Sequence, residues 1–201
     1  MKKERKNLAL FDFDGTISTK DTLIEFIQYA VGKPRYYLGV IYLSPILIAF
    51  KLKIIKNNIA KEIFLSHFFK NWDRDKFIEI AERYSLERLD DIVRQKALDR
   101  ISWHKYQDDK IVVVSASIDC WLRAWCEREK LTLISTKLEY KDGKLTGKFA
   151  TPNCYGEEKV VRVHEMYYLG DYDTIYAYGD SSGDRELLEL ANIPAFKPFR
   201  D

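Results

Sequence analysis

Residues 8–16 read Leu-Ala-Leu-Phe-Asp-Phe-Asp-Gly-Thr. The apolar run Leu8 to Phe11 has the length of a short buried strand, and Gly15 marks where the chain turns. The run stops at two carboxylates, Asp12 and Asp14. They share one side of an extended chain, because residues two apart point the same way. In an open α/β sheet, ligands bind beyond the carboxyl ends of the strands. Acids gathered at such an edge are costly unless a cation or a shared proton offsets them. The same letters also suit a solvated Asp-Gly turn. The run therefore needs partners elsewhere in the chain before it counts as a site.

Working outward, the pattern alternates between helix and strand. Asp21 is placed to cap a helix over 21–31, which Gly32 and Pro34 stop. Helical spacing recurs at 58–70 and 74–100, with apolar stripes at Ile63, Phe64 and Phe68 and at Phe77, Ile80, Ala81 and Tyr84. A β-branched run then opens at Lys110 and ends on Ser115, reading as a second buried strand. A helix follows over 118–130, with Trp121, Leu122 and Trp125 on its apolar face. Leu131–Ser135 is a further strand, and Asp142-Gly143 between alternating runs predicts a hairpin. Glu157–Tyr168 reads as a helix, Thr174–Tyr178 as a strand and Asp184–Ala191 as a helix. Ile193 to Phe196 is an edge strand that tolerates Pro194. Strands alternating with helices predict a parallel α/β sheet in a Rossmann-like three-layer core. The domains expected are a core over 1–17 and 106–201 with an inserted α-helical cap over 18–105.

Composition narrows the class. Net charge is +2 in 201 residues, so no basic field argues for nucleic acid. The three cysteines, Cys120, Cys126 and Cys154, form no C-x-x-C pair, which argues against a zinc site or disulfide framework and for a reducing compartment. The charged start, Met-Lys-Lys-Glu-Arg-Lys, is followed by too short an apolar run for a signal peptide, so a cytoplasmic setting is expected. The oligomeric state is left open.

Four polar points fall at strand ends or helix starts: Asp12/Asp14, Ser115, Lys159, and Gly179-Asp180-Ser-Ser-Gly-Asp184. If the strands are parallel, one rim collects all of them. Carboxylates without histidine or cysteine suit a hard cation, and Mg²⁺ is the usual one with phosphate substrates. One carboxylate can attack phosphorus to form an aspartyl-phosphate, with the metal and Lys159 neutralising the transferring group.

Asp12-Phe-Asp14-Gly-Thr16, Ser115, Lys159 and Gly179-Asp180-x-x-x-Asp184 resemble, in order and spacing, the four motifs of the haloacid dehalogenase superfamily. Together they bracket about 170 residues. The helical insertion and the Lys141-Asp-Gly-Lys-Leu-Thr-Gly147 hairpin resemble its phosphoserine-phosphatase-like branch. The resemblance implies a phosphatase with Asp12 as nucleophile and Asp14 as the acid that protonates the leaving group and then activates water. Asp12, Asp180 and the Asp14 main-chain carbonyl would hold Mg²⁺, with Asp184 orienting the metal shell. Thr16, Ser115 and Lys159 would hold phosphate. Asp21 falls where phosphoserine phosphatases carry a substrate-reading Glu, although Asp is also a favoured helix cap. A phosphate-binding protein without turnover is the alternative from another class.

One stretch stands apart. Tyr36–Phe50 is 15 residues without a charge, preceded by Arg35 and followed by Lys51, Lys53 and Lys56. As a helix it would span about 22 Å, short of the roughly 30 Å hydrocarbon core. Such lengths more often mean a buried centre, here of the cap. The second reading is a peripheral membrane contact through residues 36–56. The segment, with Cys154-Tyr-Gly-Glu-Glu-Lys159, is also similar in part to bacterial phosphatidylglycerophosphate phosphatases, which implies a lipid phosphate as the alternative substrate.

Overall fold

The structure is a computed structural model that describes residues 6–200. Five strands form one all-parallel sheet in the order β3-β2-β1-β6-β7. They are β1 (Asn7–Phe11), β2 (Lys110–Ile118), β3 (Thr132–Thr136), β6 (Thr174–Gly179) and β7 (Ile193–Phe196). The opening strand is central, paired with β2 on one side and β6 on the other. Its alternate side chains feed two cores. Ala9 and Phe11 join Val113, Trp121 and Trp125 on one face; Leu8 and Leu10 join Val112, Val114, Val163 and Leu187 on the other. Helix α7 (Asp119–Arg128) supplies the tryptophans, and α8 (Glu157–Met166) and α9 (Arg185–Glu189) cover the second face. The three-layer α/β core expected from the alternation is present, and Pro194 sits on the edge strand β7.

Between β1 and β2 run six helices: α1 (Thr22–Val31), α2 (Lys33–Tyr42), α3 (Ser44–Lys51), α4 (Asn57–Phe69), α5 (Arg74–Glu87) and α6 (Gln95–Tyr106). The helix expected over 74–100 is two helices, α5 and α6. The backbone at 92–94 pairs instead with the stretch leaving the sheet: Thr19 N–H donates to Ile92 O (2.7 Å) and Arg94 N–H to Ile17 O (2.8 Å). Leu89 and Ile92 are buried and continue the apolar stripe, so periodicity alone hides the break. The last helix, α6, lies against β2 with Ala97, Ile101 and His104 buried.

The hairpin joins β4 (Leu138–Lys141) and β5 (Lys144–Phe149) through Asp142 and Gly143, both at positive φ as a tight type I′ turn requires. It packs on α4 and is tied to α5 where Arg74 N–H donates to Gly143 O (2.9 Å).

The stretch Tyr36–Phe50 is not the buried centre of this helical layer. It divides into α2 and α3, Pro45 falling in the first turn of α3. Tyr36, Gly39 and Leu43 face inward, and a Cβ at Gly39 would overlap the Phe68 ring. The opposite faces are open, and α3 buries none of its residues. Among the described residues no helix is long and apolar enough to cross a membrane.

Candidate active site

The carboxyl ends of β1, β2 and β6 meet as the strand pattern predicts. Asp12 continues β1 by donating its N–H to Tyr178 O of β6 (2.9 Å). Its Oδ1 accepts from Lys159 Nζ at 2.6 Å, and the same ammonium donates to Asp184 Oδ1 at 2.6 Å. All three side chains are buried. Asp184 Oδ2 is held by the Asp180 and Ser181 N–H groups (3.1 and 3.0 Å) and the Ser181 hydroxyl (2.9 Å), a reciprocal cap that fixes the turn after β6. Asp12, Asp180 and Asp184 can each bring one carboxylate oxygen within 4.8 Å of the others.

Close approach explains two glycines. A Cβ on Gly15, at φ +80°, would stand 2.5 Å from Asp180 Oδ2, and one on Gly179 would stand 2.5 Å from Asp184 Cβ. Side chains at either position would push the acids apart.

Asp14 faces another way. Its Oδ1 accepts from Thr22 N–H (2.9 Å) at the start of α1, and its Oδ2 accepts from the Ser117 hydroxyl. Trp121 Nε1–H donates to Thr22 Oγ1 (3.1 Å), and Thr22 and Ser117 hydroxyls are 2.7 Å apart. Indole can only donate, so the chain runs Trp121 to Thr22 to Ser117 to Asp14. The Asp14 carboxylate stands outside the three-acid cluster; only its main-chain carbonyl is expected to face a metal.

The electrostatics follow these surroundings. Burial pushes Asp12 up to about 6 against the pull of Lys159, leaving it mostly ionised at neutral pH. Burial, with Asp21 and Asp12 nearby, pushes Asp14 up to about 7 although Ser117 and Thr22 hold it down. Burial would also raise Asp184, but Lys159 and the Ser181 hydrogen bonds outweigh it and leave the group low. Burial works against the Lys159 ammonium, yet Asp12 and Asp184 dominate and hold its pKa high. Asp180 is raised, chiefly by burial and then by Asp184, with Arg200 paired to it and opposing.

The remaining expected residues are also at this rim. Thr16 Oγ1 is buried beside Asp12 yet makes no hydrogen bond of normal geometry among the described residues. Ser115 Oγ accepts from Ser117 N–H (3.1 Å), which leaves its own proton free to donate. Asp21 caps α1, accepting from Leu23 and Ile24 N–H (2.9 and 3.3 Å), and its charge reaches Asp14.

Four residues were not singled out from sequence: Thr22, Ser117, Lys61 and Arg200. Ser117 had a signal, since it lies two residues past Ser115 on the same strand. Lys61, on α4, brings a cation from the helical layer to the rim. Its Nζ donates to Ala116 O (3.3 Å), and burial lowers its pKa against the pull of Asp21 and Asp14.

Three carboxylates against Lys159 and Arg200 leave negative charge in excess, and an all-oxygen donor set of this kind fits a hard divalent cation. Residues 9–189 match the family model of haloacid dehalogenase-like hydrolases. The chain is 30% identical over 195 residues to Protein CicA of Caulobacter vibrioides, covering 96% of this chain and 86% of that one. It is 25% identical to a histidinol-phosphatase of Neisseria meningitidis over 213 residues, 94% and 89% of the two chains. A phosphoserine phosphatase solved as an analogue of its phospho-aspartyl intermediate shares the fold at a TM-score of 0.60 and 23% identity, covering 93% of this chain and 84% of that one. The chain belongs to the haloacid dehalogenase-like hydrolases. Both the histidinol-phosphatase and the phosphoserine phosphatase to which it is similar are named as phosphatases.

Proposed function

We propose that this chain is a Mg²⁺-dependent phosphomonoesterase that works through a phosphorylated Asp12, with a small phosphorylated metabolite as substrate and the helices over 18–105 as its cap. The observation that carries the reading is the division of labour between two carboxylates two residues apart. Lys159 at 2.6 Å favours the ionised form of Asp12, whose pKa burial still lifts to about 6; Asp14, among neutral donors, lies higher at about 7. A nucleophile needs the first condition, and a proton carrier the second.

In the first step an Asp12 oxygen attacks phosphorus and the bond to the leaving oxygen breaks. Asp14 gives its proton to that oxygen. In the second, Asp14 takes a proton from water, which attacks phosphorus and releases phosphate and the Asp12 carboxylate. Thr16 Oγ1 and the Ser115 hydroxyl, each with a free proton, suit phosphoryl oxygens. Asp12, Asp180, Asp184 and the Asp14 carbonyl would hold Mg²⁺, which supplies charge neutralisation for the transferring group. Asp21 and Lys61 would read the rest of the substrate, a role that the charge of each near Asp14 supports.

Phosphate release from p-nitrophenyl phosphate and a panel of esters, with Mg²⁺ and with chelator, tests this reading. Asp12→Asn should lower turnover by at least roughly a thousandfold while circular dichroism shows the fold retained. An acid-quenched phosphoenzyme should form in the parent chain and be absent from the variant. No release from any ester with Mg²⁺ bound would leave the phosphate-binding reading in its place. Phosphatidylglycerophosphate belongs in the panel, because the open apolar faces of α2 and α3 favour a lipid phosphate as the second substrate reading.

A further inference from the structure

We infer that α2 and α3 form a docking surface for a lipid bilayer bearing anionic headgroups. On α2 the exposed residues Tyr37, Leu38, Ile41 and Tyr42 follow the i, i+1, i+4, i+5 spacing of one helical face. Further exposed apolar residues follow in sequence: Ile48 on α3, and Leu52 and Ile54 just past its end. Leu38, Ile41, Tyr42, Leu52 and Ile54 are between 65% and 74% exposed. Single exposed apolar residues are ordinary, but four on one helical face, with Ile48, Leu52 and Ile54 within the next twelve residues, are not. The inward side is already satisfied, because Tyr36 packs near Phe64 and Phe68.

Charge identifies the occupant. Lys33 and Arg35 flank the apolar face at its start, and Lys51, Lys53 and Lys56 at its end, all exposed. No Asp or Glu occurs between Glu25 and Glu62. The whole chain has a net charge of only +2, so the segment over 33–56 is strongly basic while the remainder is net acidic. A face of aliphatic and tyrosine side chains ringed by cations matches the boundary between acyl chains and anionic headgroups. A protein partner or a second copy of this chain would have to bring acids to that rim, and its own equivalent face has none. The helices have 10 and 8 residues, about 15 and 12 Å, so they lie in the interface and do not span it. This surface stands independently of the proposed chemistry.

Vesicle co-sedimentation tests it with the full chain. Vesicles of phosphatidylcholine with a quarter phosphatidylglycerol should bind at least tenfold more tightly than pure phosphatidylcholine, and raised salt should weaken binding. The pair Leu38→Glu/Ile41→Glu should abolish binding. The pair Lys51→Glu/Lys53→Glu should weaken it by more than tenfold, given about fivefold per basic residue near a charged surface. Melting temperature and p-nitrophenyl phosphate turnover, read in the same preparations, should stay at parent values, separating loss of docking from loss of fold. Equal or absent binding to the two vesicle types overturns the inference, as does binding that survives either pair. Concentration-dependent dimerisation in light scattering that Leu38→Glu/Ile41→Glu removes also overturns it, by showing that a second copy covers the face.

Discussion

Asp12 and Asp14 leave the same strand end and meet opposite environments. On the Asp12 side a buried ammonium bridges two carboxylates, with the turn after β6 holding the second in place. On the Asp14 side the partners are neutral: one amide and a relay of hydroxyls that ends on an indole. Burial raises both acids, but only Asp12 has a cation at 2.6 Å to oppose it. One strand end thus sets identical side chains in different surroundings, with Asp12 near 6 beside a cation and Asp14 near 7 among neutral donors. The lesson is that the surroundings, delivered by β2, α1 and α8, assign the roles.

Removing the cation should erase that difference with the largest effect. Lys159→Met leaves Asp12 and Asp184 buried without their partner, a change that costs about 3–5 kcal/mol. Urea denaturation at neutral pH should show this loss, and turnover should vanish with it. Asp14→Asn attacks the other side. It should lower turnover of an alkyl phosphate by roughly 10²–10⁴. With p-nitrophenyl phosphate, whose leaving group needs no proton, the first step should survive. A burst of p-nitrophenol and an accumulated phosphoenzyme are then expected in stopped-flow and acid-quench measurements. Equal losses for both substrates would remove Asp14 from the leaving-group step. Ser117→Ala is gentler: Asp14 keeps its carboxyl but loses one donor, and Thr22 loses an acceptor. Turnover should fall about tenfold with KM unchanged, and stability by about 1–3 kcal/mol.

The two sides also differ in how plainly the sequence announces them. Asp12, Lys159, Asp180 and Asp184 are charged residues at the ends of elements, where a charge needs a reason, and the alternation of strands and helices brings those ends together. Ser117, Thr22 and Lys61 are ordinary polar letters in a strand, a helix start and a basic helix. Only the docking of α1 and α4 over β2 gives them meaning. The same limit applies to the fold. The parallel sheet follows from local runs, but the break between α5 and α6 depends on backbone groups at 17–19 that lie over seventy residues away. Hydrophobicity over 36–50 likewise says that apolar surface exists, without saying which part neighbours will cover.

A third polar cluster, beneath the site, allows the smallest and most selective test. His104 on α6 joins Asp109 (2.7 Å) and the Tyr178 hydroxyl (2.8 Å), and Asn7 Nδ2 donates to the same Asp109 (2.8 Å). Tyr178 stacks on Phe11 with centroids 4.3 Å apart, just before Asp12. A neutral ring satisfies everything: Nδ1–H donates to Asp109, and Nε2 accepts from Tyr178. Burial holds the imidazole below its ordinary value of 6.5 although Asp109 pulls upward. The unfolded chain therefore takes up a proton at a higher pH than the folded one. Stability from this group is complete above the unfolded value and is lost as pH falls from there through the folded value, with a slope of at most about 1.4 kcal/mol per pH unit. Asp12 and Asp14, both raised, stabilise the fold as pH falls over the same range, so the loss should appear as the difference between parent and His104→Gln in urea denaturation from pH 8 to pH 5. His104→Gln should be less stable at pH 8 and lack this component. An unchanged pH slope would mean that the folded ring takes its proton as readily as the unfolded one. Because Tyr178 also anchors the Asp12 amide, the variant should lose turnover only in proportion to the strand end it loosens.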